Sequence, residues 1–274
     1  MYDPFVTSIN TQKTVYDWFS GITQNLGNMY TPGYRQQQNT FHDFLNGVQS
    51  ADVPKKADQG KSIPGRGPTS LFIEGSGFFL VRKNDGALRY TRLGDFTFNK
   101  DGTLVTHKGD KVQGYLLDDQ GQVVNGTNAS SPQGNGLNQT PNNIPTTEIT
   151  LWVDPSNGKF LGKYDEYKIR SDGTVVGIAD KGNTIDPLYK IGLANFINPA
   201  GLTEIEDYHY VATDNSGPAA QGTGEIRSGL LESSNVDTDE QVSQLRQAKM
   251  QLDVTNKVIS TNKSLLEEAL RLIQ

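Results

Sequence analysis

The sequence predicts a mixed, mainly β fold, with a β-rich centre carried between N- and C-terminal helices that pair as a coiled coil. Three observations predict it. Leu245, Leu252, Ile259, Leu266 and Ile273 recur at a strict seven-residue step, inside a stretch (234–273) without Gly or Pro. That is a long helix with an apolar seam. Phe5, Ile9, Tyr16, Phe19, Ile22 and Leu26 recur at three-, four- and seven-residue steps among polar residues, so a second amphipathic helix opens the chain. Between the two, short aromatic and β-branched runs alternate with turn residues, in a chain of 274 residues that holds 29 Gly and 12 Pro. This is the pattern of antiparallel strands.

The first helix covers about 5–28. Thr31-Pro32-Gly33 stops it, because Pro disfavours helix at the residue before it and Gly permits a turn. It is the natural partner for the C-terminal helix, so residues 1–49 and 231–274 are expected to form one terminal helical domain. Residues 50–69 read as a linker, with Pro54, Gly60, Pro64, Gly65 and Gly67 and almost no large apolar side chain.

Residues 70–230 read as the β-rich domain. Leu71–Ile73, Phe78–Val81, Leu88–Arg92, Phe96–Phe98, Leu104–Thr106 and Val112–Leu117 are its first strands. Asn84-Asp85-Gly86 supplies a hairpin turn between two of them. Gly75-Ser76-Gly77 is expected to be a kink or bulge. The alternation Phe96, Thr97, Phe98 suits a sheet with one wet face. A polar insertion follows at about 118–165, and 118–148 is rich in Gly, Asn, Gln, Ser, Thr and Pro. Strands resume at 149–153, after the turn Asp172-Gly173-Thr174-Val175, at 191–197 and at 208–213. The Gly-rich stretch 216–229 leads back to the helix, whose start Ser234 or Asn235 can cap, with Asp237, Asp239 and Glu240 in its first turns.

The second seam position of the C-terminal helix falls on Ala248, Thr255, Asn262 and Ala269, all small or polar. Leu265, Leu270 and Leu272 widen its apolar face near the end. A helix of this length cannot bury its own seam and needs partners within the chain, in a neighbour, or both.

Composition excludes several classes. A net charge of −6 implies no nucleic-acid partner. No apolar run approaches ~18 residues, so no membrane insertion by a helix is expected. Met1–Asn10 lacks a basic and apolar leader, so a cleaved signal is not expected. With no cysteine there is neither disulfide nor thiol nucleophile. His42, His107 and His209 lie far apart and outside any metal-binding spacing. Asp118-Asp119 and the group Glu204, Glu206, Asp207 read as solvated turns among 31 acids, and Asp154–Gly158 lacks the later glutamate of a calcium loop. No catalytic, cofactor-binding or metal site is expected, and the chain does not read as an enzyme. The aromatics Phe78, Phe79, Tyr90, Phe96 and Phe98 fit a sheet core better than a carbohydrate-binding face.

The motifs, taken in order, resemble those of the bacterial flagellar axial proteins, the rod and hook subunits, and within them the distal-rod and proximal-rod group. Asn25–Arg35, with Asn28, Thr31, Pro32, Gly33 and Tyr34, is similar to the family's "NNLANVNTPGYK". Leu71–Val81, with Gly77, Phe78 and Phe79, then Tyr90-Thr91-Arg92, Gly94, Phe96 and Asp101-Gly102, is similar to its "AIxGxGFFxV…YTRxGxF…DGxLVT". Leu193–Leu202 matches as well. Ser228–Asp237, with Asn235 and Val236, is similar to "GxLExSNVD". The first helix, with Tyr16, Trp18 and Phe19, departs from the family's Ala-rich opening, and the 118–165 insertion is longer than a plain rod subunit needs.

The resemblance implies a structural subunit that polymerises into a helical tube through its terminal helices. The seam residues Leu26, Leu245, Leu252, Ile259, Leu266 and Ile273 would be its assembly surface. Its partners would be copies of itself, other rod or hook subunits and the flagellar type III export apparatus. Its place would be the periplasmic rod or the extracellular hook, reached without a cleaved signal, and no cofactor is implied. The competing readings are a secreted adhesin or carbohydrate-binding β protein with a helical stalk, and a β-rich peptidoglycan hydrolase. The first should have strong residues at both seam positions and a secretion signal. The second should have a convergent acid pair or metal site.

Overall fold

A computed structural model describes residues 4–38, 56, 58–124, 139–141, 144–151, 164–205 and 208–273, with side chains from residue 8 to residue 271 of these. The chain forms two compact units, one of Met1–Asp58 with Ser234–Gln274 and one of Gln59–Ser233.

The first unit is a helical pair. Helix α1 (Pro4–Gly27) and helix α2 (Thr238–Ile273) run antiparallel. The cross-helix bonds Asn25–Gln241, Gln12–Asn256 and Ser8–Asn262 fix that direction. At about 1.5 Å per residue, α1 spans roughly 36 Å and α2 roughly 54 Å. Asp237 caps α2: its Oδ1 accepts from the amides of Asp239 (3.1 Å) and Glu240 (3.2 Å). Ser234 and Asn235 therefore do not cap it. Asp237 and Glu240 stand in capping-box spacing, so the signal was in the sequence.

The second unit is antiparallel β throughout its described pairings. In chain order its strands are β1 (Ser62–Pro64), β2 (Leu71–Glu74), β3 (Phe78–Arg82), β4 (Leu88–Thr91), β5 (Phe96–Phe98), β6 (Leu104–Thr106), β7 (Lys111–Leu116), β8 (Thr147–Glu148) and β9 (Glu166–Ile169). They continue with β10 (Thr174–Ala179), β11 (Thr184–Ile191), β12 (Leu193–Asn195), β13 (Thr203–Glu204), β14 (His209–Val211), β15 (Ala220–Gln221), β16 (Glu225–Ser228) and β17 (Leu230–Glu232). The main sheet runs β13-β14-β4-β3-β7-β11-β10-β9. The β5–β6 hairpin and β8 join it at β7, and β12 joins it at β3. Two small sheets, β1–β17 and β2–β16, complete the unit.

β3 explains the apolar run Phe78–Val81. Phe79 and Val81 enter one core with Leu71, Ile73, Phe96, Leu104, Val112 and Ile191. Phe78 and Leu80 enter a second, with Leu88, Tyr90, Phe196 and Tyr210. Successive side chains of a strand point to opposite faces, so a strand buried on both reads as unbroken apolar sequence. The expected wet face holds at β5, where Thr97 is exposed, but not at β3. Edge-to-face contacts such as Phe79–Phe96 at 5.1 Å and Tyr90–Phe196 at 4.8 Å fill the cores. The aromatic cluster is interior, which removes the carbohydrate-face reading.

Three sequence expectations change. Gly75-Ser76-Gly77 is a corner, not a bulge, since β2 pairs β16 whereas β3 pairs β4, β7 and β12. Gly75 (φ 96°) and Gly77 (φ 151°) take backbone angles that L side chains rarely adopt. The Gly-rich stretch 216–229 contains β15 and β16, and β1 lies in the stretch read as linker. All are strands of two to four residues, too short for a periodic signal. β11 runs through Pro187, which a register shift opposite Val175 and Val176 accommodates. Asp154–Gly158, His42, Glu206 and Asp207 lie outside the described residues, as does most of the 118–165 insertion.

Candidate assembly surfaces

The helical pair is built on the small, polar row of α2. Gln241 and Ala248 are fully enclosed and Thr255 is 5% exposed; Ala248 clusters with Trp18 and Ile22 of α1, and Gln241 bonds Asn25. Asn262 continues that row and donates to Ser8 Oγ at 3.2 Å. The large row expected to be the seam lies beside it. Leu245 and Leu26 flank the buried cluster, and Leu252 and Ile259 are half-buried. Leu266 is 53% exposed, and the Ile273 side chain lies outside the described residues. Ala248 takes the contact position beside Trp18, whose bulk fills the space between the helices there, and a leucine in its place would overpack.

A second apolar row runs along α2. Met250, Val254, Val258 and Leu265 are 63%, 57%, 44% and 58% exposed. At about 100° per residue Met250 lies opposite Ala248, Val254 about 100° to the side of Thr255, and Val258 and Leu265 on the flank of the buried row, about 60° from Thr255 and Asn262. On α1, Ile9 (43%) and Tyr16 (52%) likewise face away from the buried row, although periodicity had grouped them with it. Near its C-terminus α2 outruns α1: in the antiparallel register set by Ser8 and Asn262, Pro4 comes opposite about residue 266. Leu265 and Leu266 lie level with the described start of α1 and Leu270 beyond it, all more than half exposed. No helix among the described residues is long and apolar enough to cross a membrane.

The turn after α1 is held by the motif residues. Asn25, fully buried, donates to Gln37 O and Gln241 Oε1 (both 2.9 Å), and its Oδ1 accepts from the Tyr34 hydroxyl and the Gln37 amide (both 2.9 Å). Asn28 donates to Gln24 O and accepts from Thr31 Oγ1. Gly33, after Pro32, sits at φ 72°. Asn235 accepts from the Gln36 amide at 2.7 Å and donates to Asp58 O and Lys56 O. Val236 is half-buried, its amide bonded to Ser234 Oγ. The Asn25 hub was missed in the sequence because its partners come from two separate stretches, 34–37 and the start of α2.

The β unit shows little chemistry. Among the described residues no His, Asp and Glu side chains converge as a metal-ligand group. Asp118 accepts from the amides of Gln120 and Gln122, so it holds a turn and is not part of an acid pair. His209 lies 3.5 Å from Asp110, both buried, beside a cleft of about 320 Å³ rimmed by Lys83, Arg89 and Lys108. A larger groove, about 540 Å³, is lined by Tyr115, Asp172, Lys190, Gln221, Thr223 and Glu225. Burial pushes the Tyr115 phenol up to about 12, and its hydroxyl has no hydrogen-bond partner among the described residues. Burial alone would raise the Asp172 carboxyl. The Thr174 amide and hydroxyl, with Lys190 and Arg170, outweigh it and hold Asp172 below the usual range. The groove carries both signs of charge and selects no ligand class.

Comparison with known proteins accounts for both halves of this architecture. The family profile described as the flagellar hook protein FlgE/F/G D1 domain matches residues 72–177, and that of the flagellar basal body rod FlgEFG protein C-terminal region matches 227–272. Together they span more than half of the chain. The chain is 28% identical over 297 aligned positions to the flagellar basal-body rod protein FlgG of Bacillus subtilis, covering 97% of each. It is 37% identical over 140 positions to the flagellar hook protein FlgE of Borreliella burgdorferi, covering 46% of this chain and 31% of that one. The crystal structure of the Helicobacter pylori flagellar hook protein FlgE2 overlaps with a TM-score of 0.41 at 12% identity, over 62% of this chain and all of that one.

Proposed function

Since this chain belongs to the family of bacterial flagellar basal-body rod and hook proteins, we propose that it is a structural subunit of the flagellar rod or hook, polymerising into a helical tube through its terminal helices. The observation that carries the mechanism is the exposed apolar row Met250, Val254, Val258 and Leu265 on α2, which winds from the side opposite α1 to the flank of the covered row. Solvent-facing rows on a helical pair are costly until neighbours bury them, and burial of each such side chain contributes on the order of 1 kcal/mol. Copies related by a rotation and a rise that do not close give a tube, not a ring. The half-buried Leu245, Leu252 and Ile259 and the exposed Leu266 border that contact. The near relatives named as rod proteins favour the rod over the hook.

The partners in this reading are copies of the chain and adjoining rod or hook subunits. Delivery is by the flagellar type III export apparatus, to the basal body. The β unit carries no part of a reaction.

The test is hydrogen exchange on the full-length chain, free and after incorporation into sedimentable tubes or basal bodies. Amides of 10–27 and 245–270 should gain protection on assembly while those of 78–82 stay unchanged. A chain that stays a discrete soluble species alongside competent rod components, with its helices already protected, would overturn the reading.

A further inference from the structure

The chain passes between its two units twice, at 58–59 and at 233–234. Within the β unit the two crossing segments are paired. β1 runs against β17, with Ser62 opposite Glu232, and the Ser233 amide donates to Lys61 O at 2.8 Å. They approach as closely as backbone allows. A Cβ on Gly60 would lie 1.9 Å from Ser233 O, so only glycine fits there.

One buried cluster anchors this strap. Glu232, 4% exposed, accepts the Gly60 amide at 3.1 Å through Oε1, and its Oε2 lies 3.7 Å from Nε of the equally buried Arg92. Arg92 in turn donates to Gly75 O at 2.7 Å and Ile73 O at 3.4 Å, at the corner between β2 and β3. Its guanidinium lies 5.6 Å from the Phe78 ring centre. Gln59 reaches the same corner, donating to Ile73 O and accepting from the Gly75 amide at 3.1 Å. The outgoing crossing is thus tied to the corner by Gln59, and the returning one by Glu232 through Arg92. Removing two charges from water is expensive and seldom raises net stability. A buried Arg–Glu pair whose arginine also donates to two carbonyls of one corner serves geometry better than it serves stability.

We infer that Arg92 and Glu232 are positioning residues, a lock that holds both ends of the β unit against the Ile73–Gly75 corner so that β1 and β17 form one fixed two-stranded strap. The lock is a property of the single chain and holds whether or not the chain polymerises. Its consequence for assembly rests on the function proposed above: the covalent path from the terminal helices into the β unit runs through these two crossings. Arg is required because a planar fork can serve two carbonyls and a carboxylate at once, which the point charge of Lys cannot.

The experiment is residue-resolved hydrogen exchange on the full-length protein carrying Arg92→Lys or Glu232→Gln, with a double variant, Arg92→Met with Glu232→Gln. The double variant keeps the acceptor for Gly60 and leaves no unpaired charge if a single change unfolds the unit. Expected is about tenfold or more faster exchange of the strap amides in 62–64 and 230–233, with amides of 79–81 unchanged. A folded double variant with wild-type strap protection would overturn the inference. So would one in which strap and β3 amides speed up together, since the pair would then serve overall stability alone.

Discussion

Replacing Val254 with Asp tests the assembly surface most directly. In the free chain the side chain is 57% exposed and to the side of the row that α1 covers, so the monomer should tolerate the change; the helix-propensity cost is about 0.5 kcal/mol. In a tube the same position is covered. Burying a valine completely is worth about 1.5 kcal/mol, so covering the exposed part contributes roughly 0.9 kcal/mol. The aspartate forfeits this and adds the cost of a carboxylate in an apolar contact, for which about 3 kcal/mol is a conservative figure after relaxation. The total, about 4 kcal/mol at each contact, corresponds to a several-hundred-fold rise in the concentration needed for assembly, at about 1.4 kcal/mol per tenfold. The assay is sedimentation of full-length protein across a concentration series, with exchange of residues 78–82 confirming that the β unit is folded. Ser260→Asp, on the exposed polar face, is the control and should shift assembly by less than about 0.5 kcal/mol. Assembly of Val254→Asp at the wild-type concentration would show that this row faces solvent or channel in the tube and would refute the reasoning.

Asn25→Ala should destabilise the helical unit by at least about 3 kcal/mol, because it leaves the Tyr34 hydroxyl, the Gln37 amide and Gln241 without their buried partner; helical melting by circular dichroism measures it. Gly94→Ala places a Cβ 1.9 Å from Leu71 O and should cost about 3 kcal/mol or more, read as a lower urea midpoint of the β unit. Tyr115→Phe removes a buried hydroxyl without a partner, so stability should be unchanged or up to about 1 kcal/mol higher in the same titration. Tyr115 also sets an alkaline limit. Its folded pKa lies near 12, above that of an unfolded tyrosine at about 10, so the unfolded chain loses its proton first. Stability is full below about pH 10 and falls between there and 12; Tyr115→Phe should shallow that fall in urea midpoints taken at pH 9–12.

Much of this architecture was legible in the residues. The two helices, their pairing and the strands from Leu71 to Leu116 follow from local periodicity and turn chemistry, which act over a few residues and so are written consecutively. The motifs that mark the family are local too. The burial of the aromatics was also readable, since an unbroken run such as Phe78–Val81 fits a strand covered on both sides. The short strands β1, β15 and β16 were not, because two to four residues acquire their conformation from partners far along the chain.

What the sequence could not decide was which helical row meets the partner. The heptad of leucines and isoleucines looked like the seam, yet Gln241, Ala248 and Thr255 take that place: Gln241 bonds Asn25, and the bulk of Trp18 leaves room only for a small residue such as Ala248. Nor could it reveal that Asn25 joins two separate stretches to α1, or that Arg92 and Glu232, 140 positions apart in the chain, meet in one buried pair. Periodicity determines that a helix has an apolar face. Only tertiary packing, which depends on the volume and polarity presented by the other element, determines which face is covered and which is left for a neighbour.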